Sequence, residues 1–118
     1  QRGLSPENLS RYFRPHEEGW RIQDELRSMV EFRTLNLHHD LDSVGGPFDI
    51  IFCRNVAIYF ADAAREHLFR RLSETLAPHG ALFVGAQESL DQYDLPLIKQ
   101  QHCRCMFYCG PKSDLLVA

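Results

Sequence analysis

Arg54 and Asn55 interrupt an otherwise apolar segment of the sequence, FDIIFCRNVAIYF, which runs from residue 48 to residue 60. Guanidinium and amide groups donate hydrogen bonds, and the amide also accepts them. At the end of a strand these residue types suit the binding of a polar ligand, although a structural ion pair or a capped turn would use the same residues. Two more polar groups follow apolar runs in the same way: Asn36-Leu37 and Gln87-Glu88-Ser89.

Tyr59 lies one helical turn beyond Asn55, so its hydroxyl can return to the same end of the strand. The alternative is ordinary core packing with a satisfied hydroxyl. The sequence shows no Ser-His-Asp or Cys-His arrangement for nucleophilic catalysis.

The four cysteines form a second group of reactive residues, and three of them follow His102 in the run HCRCMFYC. A metal site built from this histidine and three thiolates is one interpretation, but the spacings match no common zinc motif. The other is a strand in which residues 103, 105, 107 and 109 share one face, because free cysteine packs as a small hydrophobe. We favour the strand, predict no metal, and expect reduced cysteines in a cytoplasmic protein.

The elements that position the polar groups form a strand–helix–strand unit. Residues 49–53 are a short apolar run without alternation, which predicts a strand buried on both faces. Residues 63–76 form an amphipathic helix, with Asp62 as its cap and Arg65 on its outward face. Residues 81–85 are a second buried strand. The two strands are expected to be parallel neighbours joined by a right-handed crossover.

Shorter elements are predicted on either side of this unit. Ser5 caps a short helix, and residues 14–22 contain a turn and a strand or hairpin arm. Residues 30–36 alternate well enough for a further strand. Residues 97–101 and 104–109 predict two antiparallel strands joined by a tight turn. The fold class is therefore α/β with an antiparallel finish.

The overall composition argues against several classes of function. The 118 residues are 44% hydrophobic and 25% charged, with a formal net charge of −3, which is ordinary for a small domain or part of a larger one. No Lys/Arg tract could neutralise a run of phosphates, so nucleic-acid binding is not predicted. No apolar run reaches the roughly 18–20 residues that span a bilayer, so membrane insertion is not predicted either.

Four stretches of the sequence resemble the CheR-type chemotaxis receptor methyltransferases, which depend on S-adenosylmethionine. The stretches are LSPENLSRYF, DELRSMVEFRTLNL, FDIIFCRNVAIYF and FRRLSETLAPHGALFVGAQESL. Together they span most of residues 4–90. The CRNV-x-IYF block, combined with the upstream Asn36-Leu37 pair, is highly specific to that family.

The resemblance implies methyl transfer to glutamate side chains on the signalling helices of chemoreceptors, which gives γ-methyl esters. By analogy, Asn36 and Leu37 would flank the adenosine part of the cofactor. Arg54 and Asn55 would lie on the cofactor side of the family's fourth strand. Tyr59 would approach the transferred methyl group or the incoming carboxylate.

The resemblance also has gaps, which predict a partial domain. The family's glycine-containing turn after the first strand, the acidic residue after the second and the N-terminal helical domain have no counterpart in this sequence. Residues 1–118 are therefore expected to be the C-terminal half of a Rossmann-like class I methyltransferase sheet, and inactive alone. Residues 14–22 would be a reduced form of the family's small β-subdomain, and residues 110–118 a flexible tail.

The family's strand order would leave one edge of such a half-sheet open. Its strands four, five, seven and six would be contiguous, whereas the strand at residues 30–36 would lose its neighbours. Apolar edges recruit partners, so the chain is expected either to move that strand against the fourth or to form a homodimer there.

Two other functions remain open at the level of sequence. One is a non-catalytic receptor-binding or scaffold module derived from the same family. The other is a generic nucleotide-binding α/β domain, which the lack of a phosphate-binding glycine loop disfavours.

Overall fold

The computed structural model describes residues 3–114. The chain divides into two compact units, with the boundary between Thr34 and Leu35. The assignment of the whole chain to one partial domain stays a prediction. The last part of the predicted flexible tail, residues 115–118, lies outside the described residues. Within residues 3–114, no helix has the length and apolar character needed to cross a membrane.

The first unit consists of short elements. In order they are α1 (Pro6–Tyr12), β1 (Phe13–His16), β2 (Gly19–Ile22) and α2 (Asp24–Arg27). Helix α1 begins where the sequence predicts, because the Ser5 side chain accepts a hydrogen bond from the backbone N–H of Asn8 (3.2 Å). Strands β1 and β2 pair antiparallel and form the predicted hairpin.

The second unit is built around a four-stranded sheet. Its main elements are β3 (Phe48–Cys53), α3 (Asp62–Thr75), β4 (Leu76–Val84), β5 (Ile98–His102) and β6 (Cys105–Cys109). The strand order is β3-β4-β6-β5; β3 and β4 are parallel, and the other pairs are antiparallel. The predicted strand–helix–strand unit and antiparallel finish are therefore confirmed. The chain has a mixed α/β fold with a mixed sheet.

Two boundaries differ from the prediction. Strand β4 begins directly after α3 and includes residues 77–80, which the sequence places before the strand. A register irregularity between Phe48 and Ile50 of β3 accommodates the extra residues. The turn between β5 and β6 consists of Cys103 and Arg104, which both have positive φ, so Cys103 lies in the turn and not on the strand.

One face of the sheet packs against α3 and forms the main core. Leu68, Phe69 and Leu72 of α3 are buried there together with Leu82 of β4 and Tyr108 of β6. The burial of the i and i+4 positions on one helix face follows from the amphipathic pattern of α3. This packing fixes the carboxyl ends of β3 and β4 relative to each other.

The opposite face of the sheet carries exposed apolar side chains. Ile50 and Phe52 of β3 are 58% and 70% exposed, so the prediction of a strand buried on both faces is wrong for this chain. The Phe52 ring stacks on Phe83 (5.0 Å between centroids), and Phe83 contacts Phe107 (5.7 Å). We call this row, with Ile50, the open face. Its β3 residues are exposed because the only α-helix among residues 35–114 lies on the other side of the sheet, whereas Phe107 of β6 is buried.

The strand predicted at residues 30–36 is not present, and these residues have no regular secondary structure. The predicted rearrangement against the next strand is therefore wrong as well. A strand needs a neighbour to satisfy its backbone groups, and alternation alone does not supply one. Within this segment Phe32 is 90% exposed, and Arg33 pairs with Glu31 (2.6 Å).

Candidate functional site

The carboxyl ends of the parallel strands β3 and β4 border a cleft of about 420 Å³. Ligands of open α/β sheets bind outside the carboxyl ends of such strands, so this cleft is the candidate site. Its lining combines an apolar floor with charged groups: Phe52, Arg54, Phe83, Val84, Gly85, Ala86, Glu88, Arg104, Cys105, Met106 and Tyr108. The structure thus places Arg54 at the cleft, while its role in cofactor binding stays a prediction.

One carboxylate oxygen of Glu88 joins the ends of the two strands. Glu88 Oε2 accepts hydrogen bonds from the backbone N–H of Asn55, just after β3 (2.8 Å), and of Gly85, just after β4 (2.7 Å). The backbone N–H of Glu88 also donates to the carbonyl oxygen of Gly85 (2.9 Å). Hydrogen bonds to an ionised carboxylate are stronger than neutral ones, so this contact fixes the spacing of the strand ends.

Asn55 and Gly85 fit together closely around that carboxylate. Asn55 has φ of +60°, a left-handed conformation that asparagine tolerates better than most residues. A Cβ at position 85 would lie 2.5 Å from Glu88 Oε2 and 3.1 Å from Asn55 Nδ2. The absence of a side chain at Gly85 therefore allows the amide and the carboxylate to approach the backbone.

Cys53, the last residue of β3, is buried next to this arrangement. Burial, and secondly the negative charge of Glu88, raise the pKa of its thiol to about 11. A thiol with a raised pKa is neutral near pH 7 and is a poor nucleophile. Cys53 therefore acts as an apolar core residue and not as a reactive group.

Tyr59 lies on a single 3₁₀ turn, Ala57–Tyr59, and its side chain is 83% exposed. The turn itself is held in place by Arg65 of α3. The Arg65 guanidinium donates to the carbonyl oxygens of Ala57 (3.1 Å) and Phe60 (3.1 Å). The helical pattern placed Arg65 on an outward face, and it gave no sign that this side chain anchors the segment that carries Tyr59.

Asn36 and Leu37 are not part of the cleft lining. The Asn36 side chain accepts a hydrogen bond from the backbone N–H of His38 (3.0 Å), which is a turn-capping role. Leu37 packs against the main core and lines a second cleft beside His67 and Arg71 of α3. The structure therefore brings Arg54, Asn55 and Glu88 together and places the Asn36-Leu37 pair elsewhere.

The loop that carries Glu88 is also anchored at its other end. The Tyr108 hydroxyl accepts a hydrogen bond from the backbone N–H of Leu90 (3.0 Å) and donates to Asp91 Oδ1 (3.3 Å). Hydrogen bonds from Lys99 first, and then from Ser89, hold the pKa of Asp91 below its ordinary value. The loop is thus fixed to the sheet on both sides of Glu88.

The cysteine-rich segment forms strand β6 and its preceding turn. Cys109 is buried, whereas Cys103 and Cys105 are exposed. Among residues 3–114 no cluster of three or more His, Cys, Asp or Glu side chains is arranged to hold a metal ion. The interpretation of the segment as a strand is confirmed for residues 105–109.

The sequence alone singled out Arg54, Asn55 and the group at residues 87–89, but it did not connect them. Glu88 and Asn55 are separated by 33 positions, and no spacing rule predicts a hydrogen bond over that distance. The only available signal was that polar residues follow both of the predicted parallel strands.

Comparison with known proteins shows the family of the chain. The family described as CheR methyltransferase, SAM binding domain, matches residues 1–104. The chain is 48% identical over 91 residues to the chemotaxis protein methyltransferase Cher2 of Pseudomonas putida and to chemotaxis protein methyltransferase 1 of Pseudomonas aeruginosa, and 47% identical over 90 residues to the chemotaxis protein methyltransferase of Salmonella typhimurium. These alignments cover 76%, 76% and 73% of this chain, but only 33%, 33% and 31% of the relatives. The chain therefore spans about a third of their length, and it belongs to the CheR methyltransferase family.

Proposed function

We propose that this chain forms part of an S-adenosylmethionine-dependent protein-glutamate O-methyltransferase that acts on chemoreceptors. The family match over residues 1–104 carries this proposal. The cleft at the ends of β3 and β4 supports it, because it combines Arg54 with an apolar floor at the place where α/β sheets bind ligands. The proposed sheet is the C-terminal half of a Rossmann-like methyltransferase, in which β3, β4, β6 and β5 correspond to strands four, five, seven and six.

The residues of the cleft fit one side of the cofactor. Its volume of about 420 Å³ lies in the range of small-molecule sites, and Phe52 and Phe83 offer apolar surface to an adenosine or thioether group. Arg54 and Arg104 favour a carboxylate, a group that both the cofactor and a substrate glutamate contain. Asn55, Asn36 and Leu37 are the further proposed cofactor contacts.

The role of this chain's residues in the reaction is to position the substrate carboxylate and the methyl group. S-adenosylmethionine supplies an activated methyl group, and a glutamate carboxylate with a reference pKa of ~4.3 is already ionised at neutral pH. No general base is needed. The protein must align the carboxylate with the methyl group and exclude water. Tyr59 is the proposed donor that orients the carboxylate, which its exposed position would allow.

The chain alone is proposed to lack a complete cofactor pocket. It spans about a third of its relatives, and the candidate site is an open cleft at one end of a four-stranded sheet. Isothermal titration calorimetry with S-adenosylmethionine is expected to detect no micromolar binding by the isolated chain. Micromolar affinity would contradict the claim that part of the pocket lies outside these residues.

A chimera tests the proposed activity directly. The matching segment of the Pseudomonas putida relative would be replaced by the corresponding residues of this chain, and methyl transfer from labelled S-adenosylmethionine to receptor protein would be measured. Transfer is expected, and Tyr59→Phe in the chimera should lower kcat by roughly 10²-fold, as for the loss of one positioned donor. A folded chimera that neither binds the cofactor nor transfers methyl groups would overturn the proposal.

We also propose the partners and setting of the complete protein. Its macromolecular substrate is the signalling helix region of chemoreceptors, which implies a cytoplasmic location. For the chain itself, we propose association of two copies through the edge of β3, an apolar strand that pairs only with β4 within the described part of the chain.

A further inference from the structure

The Glu88 carboxylate lines the cleft and accepts two short backbone hydrogen bonds, and it is not among the proposed cofactor contacts. We propose that Glu88 is a positioning residue, which holds the ends of β3 and β4, and with them Arg54 and Asn55, in the geometry of the cofactor site. Its importance for the cofactor rests on the proposed function. Its hydrogen bonding to the strand ends does not.

The two amides bound by Glu88 lie where the sheet ladder ends. Cys53 and Val84 are a pair in the register of β3 and β4, and β3 and β4 end at these residues. The N–H of Gly85 follows β4 directly, and the N–H of Asn55 lies two residues beyond the end of β3. One oxygen of Glu88 binds both, at 2.7 Å and 2.8 Å. Without that oxygen, two backbone donors at the mouth of the site would lose their partner.

The contact with Asn55 also sets the direction of two side chains. A peptide unit is planar, so fixing the N–H of Asn55 fixes the orientation of the peptide between Arg54 and Asn55. Asn55 is held at φ +60°, a conformation that is uncommon for a residue other than glycine. The Glu88 hydrogen bond therefore stabilises the turn from which Arg54 enters the cleft lining.

Only one oxygen of the carboxylate makes these contacts. Glu88 Oε1 is buried and has no hydrogen-bond partner within the described residues. Glutamine can offer its carbonyl oxygen to the same two amides, so Glu88→Gln is the conservative variant and Glu88→Ala removes the acceptor. Glu74 is a suitable control, because its carboxylate pairs with Arg71 on the surface of α3 (2.6 Å).

Amide hydrogen exchange measured by NMR on the full chain tests the proposal. Glu88→Ala is expected to speed exchange of the Asn55 and Gly85 amides by about tenfold, the value of one hydrogen bond, while the Leu82 amide in the core is unchanged. Glu88→Gln should restore protection at both positions, and Glu74→Ala should change neither. Unchanged protection in Glu88→Ala, or an equal loss at Leu82, would overturn the positioning role.

A second measurement covers the case in which Glu88→Ala does not fold. In the unsubstituted chain, NMR scalar couplings across hydrogen bonds should connect the amide nitrogens of Asn55 and Gly85 to the side-chain carboxyl carbon of Glu88, because both amides bind that carboxylate. The absence of this coupling at either amide would overturn the proposal. Neither readout involves S-adenosylmethionine, so an inactive chimera would refute the proposed function and leave these results unaffected.

Discussion

At the scale of single residues, the substitution Gly85→Ala, which adds one methyl group, tests the close packing around the Glu88 carboxylate. A Cβ there would lie 2.5 Å from Glu88 Oε2, so Gly85→Ala must displace the carboxylate or the strand end. We expect the free energy of unfolding to fall by about 1–3 kcal/mol, the usual cost of overpacking, in urea denaturation. Gly110→Ala is the control, because its Cβ would meet Pro78 O at 3.7 Å. Equal losses in the two variants would contradict the close packing.

Cys53 gives a prediction for how the stability of the fold depends on pH. Its pKa rises from 9.0 to about 11 in the fold, through burial and then the Glu88 charge. Because the folded pKa is the higher one, the neutral thiol stabilises the fold below pH 9, and this contribution is lost as the pH rises through 11. Between pH 9 and 11, the free energy of unfolding should therefore change less with pH in Cys53→Ala than in the unsubstituted chain.

Alkylation followed by mass spectrometry provides the matched measurement on the thiols. At pH 8, the exposed Cys103 and Cys105 should react with iodoacetamide, whereas the buried Cys53 should react only after unfolding. If iodoacetamide alkylates Cys53 as fast as Cys105 in the folded chain, the Cys53 thiol is not buried and its pKa is not raised.

The residues of the site could be predicted individually but not as a group. Arg54 and Asn55 could be identified because a charge and an amide at the end of an apolar run are unusual in a core strand. The bond from Glu88 to Asn55, and that from Arg65 to the turn of Tyr59, depend on how distant segments pack. Periodicity carries no information on such contacts, so Arg65 was expected to face solvent.

At the scale of elements, prediction succeeded where local pattern and packing agree. Helix α3 has its apolar positions on one face, and it is found within one residue of its predicted limits. The strand at residues 30–36 fails because its alternation matches a strand but no neighbouring strand is present. Strand β3 was found, yet its apolar run predicted burial on both faces, and in this chain one face is exposed.

The two faces of the sheet predict different costs for the same substitution. Phe52 on the open face is 70% exposed, whereas Phe69 in the core is 1% exposed. Phe69→Ala should lower the free energy of unfolding by about 3–5 kcal/mol, as for buried aromatic residues. Phe52→Ala should cost less than about 1 kcal/mol, since most of its surface contacts water already. Urea denaturation of the two variants and of the unsubstituted chain would measure both costs.

The outcome for Phe52 also reports on the state of the open face. A cost for Phe52→Ala as large as that for Phe69→Ala would mean that the open face is covered in solution. The comparison should therefore be repeated over a range of protein concentrations, since coverage by a second copy would make the cost depend on concentration.

At the scale of the whole molecule, the two edges of the sheet differ in character. Strand β5 at one edge has the sequence IKQQH and includes Lys99, a residue type that natural proteins use to protect edges. Strand β3 at the other edge has the sequence FDIIFC, and among residues 35–114 it pairs only with β4. An apolar edge strand of this kind is a template for pairing with another chain, so self-association through β3 is the expected behaviour.

Size-exclusion chromatography with light scattering measures this directly. The unsubstituted chain is expected to be a dimer at micromolar concentrations, with an isologous contact in which β3 of one copy faces β3 of the other. Ile50→Lys would bring like charges together across that contact and should produce a monomer, whereas Gln101→Lys on β5 should leave the dimer intact. A monomeric unsubstituted chain at these concentrations would contradict the prediction and leave β3 as an edge that needs a different partner.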